Sequence, residues 1–171
     1  MAGEPAVIVV TSAVSAGGSM PPEYTADGIN ASPAVAWRAL PNGTRQLVVY
    51  LQDDDEVVPA PLKPPLIHWL VYNVPPGAKG LPRGIPFAEV VTEPPDLTGA
   101  AQAYTTFSYP GYRGPQPPPG ELHHYRLVVL ALDRDLGLKS GLAVDPVLTA
   151  TAGHVIGRGE LGFTYRRRDL K

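Results

Sequence analysis

Twenty-one of the 171 residues are proline and another 18 are glycine, in a chain that is 44% hydrophobic. Each proline fixes φ and removes a backbone donor, so helices and central strands fit only between prolines. The apolar content argues against disorder. Together these features point to short strands joined by stiff loops. The length suits one domain, residues 1–171, and a chain of this size buries roughly two-thirds of its unfolded surface without staples. Residues 1–5 and 168–171 are expected to be flexible ends.

The formal charge is −2, from 14 basic and 16 acidic residues. Such a balance gives no electrostatic reason to expect nucleic acid as a partner. The basic cluster Arg166, Arg167 and Arg168 reads as a solvated tail. There is no cysteine, which removes disulfides, thiolate ligands and a cysteine nucleophile. No run reaches the ~18 apolar residues of a membrane helix. The apolar stretch Ala6 to Val10 lacks the basic region of a signal peptide, so a soluble, cytoplasmic protein is expected.

Strand candidates are Ala6 to Thr11, Gln46 to Gln52, Ile67 to Val74, His123 to Asp133 and Phe163 to Arg166. All are rich in β-branched or aromatic residues and bounded by turn residues. Helix evidence is thin. Asp145 followed by Pro146 reads as an N-cap with proline at the first helical position, giving a short helix from Pro146 to Ala152 that stops at Gly153. Val58 to Pro65 reads as an exposed loop between strands. Pro110 to Gly120 reads either as a stiff spacer or SH3-type ligand, or as a rigid rim that positions the residues after it.

In extended backbone, alternate residues face one side. Asp53 and Asp55 would therefore point together, as would His123 and Tyr125, while His68 opens an apolar strand. A polar side chain buried without a partner costs roughly 1–3 kcal/mol; acid, imidazole and phenol in one hollow would satisfy one another and could hold a small polar ligand. Each feature alone also has a plain reading: a solvated acidic turn at residues 53–56, a satisfied core histidine at His68, a surface pair at His123 and His124. No HxH, HExxH or clustered Cys/His spacing appears, so no metal is expected. No GxSxG elbow, P-loop or dinucleotide fingerprint appears either, so no cofactor is expected.

The order of motifs resembles one known family. ADGINASPAVAW at Ala26–Trp37, LPNGTRQLVVYLQDDDE, IHWLVYNVPPG, PGYRGPQPPPGELHHYRLVVLALD and GHVIGRGELGFTYRR are similar in sequence and order to motifs of phosphatidylethanolamine-binding proteins. That family includes the bacterial Raf-kinase-inhibitor-like branch. The likeness runs from about residue 26 to residue 167. It implies an antiparallel β-sandwich with one or two short helices and a small anion-accepting pocket. By motif, Asp53 and Asp55 fall on the two acids of the family's DPDAP, His68 on the histidine of its HW strand, and His123 and Tyr125 on its HxY. Gly114 and Pro115 fall on the GP of the rim. This chain departs at the acids, where DPDAP becomes Asp53-Asp54-Asp55-Glu56-Val57. Both prolines are lost and negative charge is gained, which should weaken a doubly charged phosphate ligand unless an acid is protonated or points away.

Three functions stand as alternatives. A binding module would take a phosphoryl or similar small anion, with a kinase or protease as possible protein target. An enzyme would use Asp53, Asp55 and His123 for acid–base work on a small-molecule metabolite. An interaction protein with a vestigial pocket would use the proline-rich loops as its contact surface.

Overall fold

The computed structural model describes residues 3–62 and 65–168. The expected flexible ends therefore lie partly outside the described residues, at 1–2 and 169–171, as does part of the Val58–Pro65 loop, at 63–64. The fold is mainly β. Among the described residues, strands β1 (Ala6–Val7), β2 (Val9–Ser12), β3 (Val35–Arg38), β4 (Gln46–Asp53), β5 (Leu66–Val74), β6 (Gly80–Leu81), β7 (Ala101–Gln102), β8 (Leu122–Leu132) and β9 (Val155–Arg166) form two sheets, with one α-helix, α1 (Val144–Thr151). The larger sheet runs β1-β9-β8-β4-β5-β7 and the smaller β2-β3-β6. Every pairing is antiparallel except β1 on β9.

The central strands explain their own sequences. All eight residues of β4 are buried, because both faces of the large sheet are covered. Leu47, Val49 and Leu51 face the small sheet, in one core with Trp37, Trp69, Leu127 and Val129. Val48 and Tyr50 face outward into a second core with Leu70, Tyr72, Val128 and Val147 of α1. Two-sided burial gives a nearly continuous apolar run in place of alternation. At about 25 cal/mol per Å², these two cores are the main stabilising term.

The expected strand at Phe163 to Arg166 is the end of a twelve-residue strand. Glycines hid the rest. A Cβ on Gly159 would stand 2.4 Å from the Ile8 carbonyl oxygen, and one on Gly157 would meet Pro41 at 2.9 Å. The glycines allow close backbone approach and, in doing so, weaken the strand signal. The expected helix begins earlier than read, at Val144, with Ala143 as N-cap and Asp145 inside the first turn. Pro146 is tolerated there because first-turn N–H groups lack intrahelical acceptors. Gly153 follows the helix at φ 78°, the left-handed turn expected of a helix stop.

Two surface readings also change. Arg166 lies in β9 and donates to the Gly120 carbonyl at 2.7 Å, while Arg167 pairs with Asp27 at 3.1 Å. These two arginines fasten the proline-rich rim to the sheet and are not a solvated tail. The rim itself is packed: Gly111, Tyr112, Gly114, Pro115 and Pro117 are buried, which excludes the exposed-spacer reading of that segment.

Candidate functional site

Strand ends bring the polar residues together. Asp53 is the last residue of β4 and sits opposite Tyr125 on β8. His123 lies two residues before Tyr125 and shares its face, as the alternation requires. His68 reaches the same hollow by a different device. The β4–β5 register passes from Leu51↔Trp69 to Gln52↔Ile67, so His68 is an extra residue on β5, a β-bulge. Strict alternation would send His68 and Trp69 to opposite faces. The bulge lets Trp69 enter the inner core while His68 turns beside Asp53 and Tyr125.

The contacts are specific. The His123 Nδ1–Asp53 Oδ2 distance is 2.8 Å, and the second His123 nitrogen lies 3.2 Å from Glu121 Oε2. The other Asp53 oxygen accepts the backbone N–H groups of Asp55 at 2.8 Å and Glu56 at 3.0 Å. This local turn shapes the loop where the family pattern uses prolines. His68 Nδ1 lies 2.8 Å from the Arg113 carbonyl. A carbonyl only accepts, so Nδ1 carries the proton and Nε2 of the neutral ring is a bare acceptor. That Nε2 is 3.9 Å from Asp53 Oδ2. His68 Nε2 and the Tyr125 hydroxyl are both buried and have no hydrogen-bond partner among the described residues. Edge-on ring contact at 5.7 Å holds the two together.

Electrostatics follow from these contacts. Burial opposes ionisation of Asp53, but the hydrogen bonds from His123 and the Asp55 N–H, with the His123 charge, outweigh it and hold the carboxyl at about 2. Burial alone would lower His123; the hydrogen bonds to Asp53 and Glu121 raise it above the ordinary histidine value. Burial, with the Asp53 charge beside it, pushes the Tyr125 phenol well above its usual range, so it remains a donor.

The structure divides the residues expected at the site. Asp53, His68, His123 and Tyr125 come together. Asp55 does not: the chain turns after Asp53, and the Asp55 carboxylate caps exposed His124, at 2.6 Å to its N–H and 2.7 Å to Nδ1. Extended backbone past residue 53 was the premise that failed. Asp54 also points away, bridging Arg126 at 2.8 and 3.0 Å. Of the added acids, only Glu56 faces the hollow.

A cavity of about 70 Å³ opens there, lined by Asp53, Glu56, His68, Phe107, Arg113, Gly114 and Gln116 among others. Tyr125 is not on its wall, and His123 adjoins it through the contact of Nδ1 with Asp53. Gly114 fits because its Cα packs on the Tyr24 carbonyl, where a Cβ would come within 2.1 Å. Its N–H donates to Asn30 at 2.7 Å, and Pro115, set behind it, accepts from Ala26 at 3.1 Å. Thus the GP pair locks the rim to the residue 26–30 loop and presents no free donor. Sequence reading missed Phe107, Arg113 and Gln116. Arg113 stacks 4.9 Å over Phe107 and donates to Gln116 at 2.7 Å; its place within GYRGP was the available signal.

Two facing sheets with a polar hollow where the strands end define a mainly β sandwich class. The chain belongs to the phosphatidylethanolamine-binding protein family, whose sequence pattern it matches over residues 10–166. It is similar to a UPF0098 protein of Methanothermobacter thermautotrophicus, at 39% identity over 150 residues covering 88% of this chain and 92% of that one. Among solved structures it is similar to a phosphatidylethanolamine-binding protein homologue from Chlamydia trachomatis, with a TM-score of 0.77, 30% identity, and coverage of 94% and 98%. It is also similar to Escherichia coli YbcL, described as a member of the mammalian family, with a TM-score of 0.78, 27% identity, and coverage of 96% and 99%. Among the described residues no helix is long and apolar enough to cross a membrane.

Proposed function

We propose that this chain is a binding protein for a small phosphoryl or similar polar headgroup, held by His68 and Arg113, with Tyr125 packed against His68. The observation that carries this reading is the buried His68 Nε2, a wall residue's acceptor without a partner among the described residues. It costs roughly 1–3 kcal/mol while unpaired, and a ligand offering a donor would recover that cost. A monoprotonated phosphoryl group offers one. The Arg113 guanidinium at the wall supplies the countercharge. Ionised Asp53, with Glu56 at the mouth, disfavours a dianion and favours a ligand that also carries an ammonium group. A cavity of about 70 Å³ has space for a headgroup fragment, roughly two water volumes, so any larger ligand must keep its remainder outside.

The family likeness extends this reading to a kinase or protease as a protein target and to the cytoplasm as the place of action. Isothermal titration with phosphate, phosphoethanolamine and ethanolamine tests the core of it. Saturable heat with phosphoethanolamine, weaker with phosphate alone, is expected. No heat from any of them at millimolar concentration, with a folded protein, would overturn the reading.

The His123–Asp53 contact at 2.8 Å favours a second reading, in which the same hollow performs acid–base chemistry on a small metabolite. His123 would move a proton while Asp53 holds its tautomer. With a substrate in hand, unchanged turnover in both Asp53→Asn and His123→Gln would end that reading.

A further inference from the structure

We infer that the hollow is also a site for one borderline divalent cation of the zinc type, held by Asp53, Glu56, His68 and His123. One ligand atom from each of Asp53, Glu56 and His123 lies within 4.8 Å of the others. His123 Nδ1 is 2.8 Å from Asp53 Oδ2 and 3.9 Å from Glu56 Oε2. An acidic cluster of this kind has many ordinary explanations. The fourth donor is what points to a ligand: His68 is 4% exposed, its Nε2 has no partner, and that atom sits 3.9 Å from the same Asp53 oxygen.

Both imidazoles also have the outer partners that metal-bound histidines need. The Arg113 carbonyl fixes the proton of His68 on Nδ1 and leaves the Nε2 lone pair facing inward. Glu121 lies 3.2 Å from Nε2 of His123, which would place that ring's remaining proton on the far side and leave Nδ1 to the cation. A carbonyl or carboxylate behind each histidine orients the ring and raises its basicity. Two imidazoles and two carboxylates suit zinc, whose tetrahedral bonds of about 2.0–2.1 Å put donor atoms about 3.3 Å apart. Asp53 and His123 need open by only a few tenths of an ångström. His68 lies outside the group whose atoms are all within 4.8 Å and must move toward Asp53 from 3.9 Å; Glu56 must close further as well, and it can, because its side chain is 35% exposed and ends a flexible stem. Chain spacing gives no sign of this site, because residues 53, 56, 68 and 123 match no metal-ligand pattern; the strand ends and the bulge at His68 assemble it.

The cation site does not depend on the phosphoryl reading, although a bound cation would offset the charges of Asp53 and Glu56 and admit an anion more readily. The test uses the full chain, freed of metal with a chelator and titrated with Zn²⁺ alone in phosphate-free buffer. Co²⁺ serves as a spectroscopic probe of four-coordinate geometry. The expected result is one Zn²⁺ per chain at micromolar affinity or tighter, a rise in Tm, and an intense visible Co²⁺ band. Glu56→Gln and Glu121→Gln, both at exposed or half-exposed positions, should weaken binding by about tenfold or more. His124→Ala, which removes the surface His124–Asp55 pair, should leave it unchanged. Absence of saturable 1:1 binding would overturn the inference. So would binding that survives Glu56→Gln and Glu121→Gln but is lost in His124→Ala. Phosphate titration of the metal-free protein is a separate measurement, so either reading can fail without the other.

Discussion

Replacing Asp53 by asparagine keeps the side-chain shape and removes the charge. In the parent, Asp53 accepts from two backbone N–H groups and contacts His123, at 2.8 to 3.0 Å, and it is 2% exposed. Its folded-state pKa of about 2 lies below the ordinary 3.8. At about 1.4 kcal/mol per unit, the shift corresponds to about 2 kcal/mol of stability. That stability is fully present above about pH 4 and lost as pH falls through about 2. The raised pKa of His123 adds a contribution of opposite sense, present below its ordinary value of 6.5 and lost as pH rises through the folded-state value. Hydrogen-bond arithmetic agrees in size, since one charge-assisted bond is worth about 1.5–3 kcal/mol. Urea unfolding should place Asp53→Asn about 1 M below the parent in midpoint at pH 6, taking a slope of about 2 kcal/mol per M. The gap should narrow between pH 4 and pH 2. Equal midpoints at pH 6, or a gap that does not change down to pH 2, would refute the assignment of Asp53 as the ionised centre of the hollow.

Other substitutions separate core, rim and site. Trp69→Ala removes a fully buried ring whose Nε1–H donates to Gln102 at 2.9 Å; a thermal melt should show a loss of about 3–5 kcal/mol. His123→Ala should cost less than Trp69→Ala in the same melt yet abolish ligand heat. Gly114→Ala forces a Cβ to 2.1 Å from the Tyr24 carbonyl, so the rim must shift at a cost of about 1–3 kcal/mol, read by denaturant unfolding, with weakened ligand binding. Asp55→Ala removes an exposed pair with His124; stability should change by less than about 1 kcal/mol and calorimetric ligand binding should not change.

The strands that form the floor of the hollow were legible because each is a long apolar run ending in turn residues, as with Gln46 to Gln52 and His123 to Asp133. Their convergence was not legible from spacing, since pairing partners such as Asp53 and Tyr125 are set by sheet register. The likeness of motifs supplied that step. Asp55 was misplaced because a period-two pattern holds only while the chain stays extended, and Asp53 itself turns the chain by accepting the next two N–H groups. His68 stands beside Asp53 although strict alternation would send it and Trp69 to opposite faces; a one-residue bulge leaves no mark in sequence. Short strands β3, β6 and β7 were missed because two to four residues carry too little pattern to register.

The central claim is that Asp53, His68, His123 and Tyr125 form one ligand-binding hollow. The chain has only four histidines, at 68, 123, 124 and 154, so nitrogen-detected imidazole NMR during a phosphoethanolamine titration reads the claim directly. Saturable shifts are expected at His68 and His123, led by Nε2 of His68, with His124 and His154 unmoved. Shifts confined to His124 and His154, which pair with Asp55 and Asp133 at the surface, would contradict it.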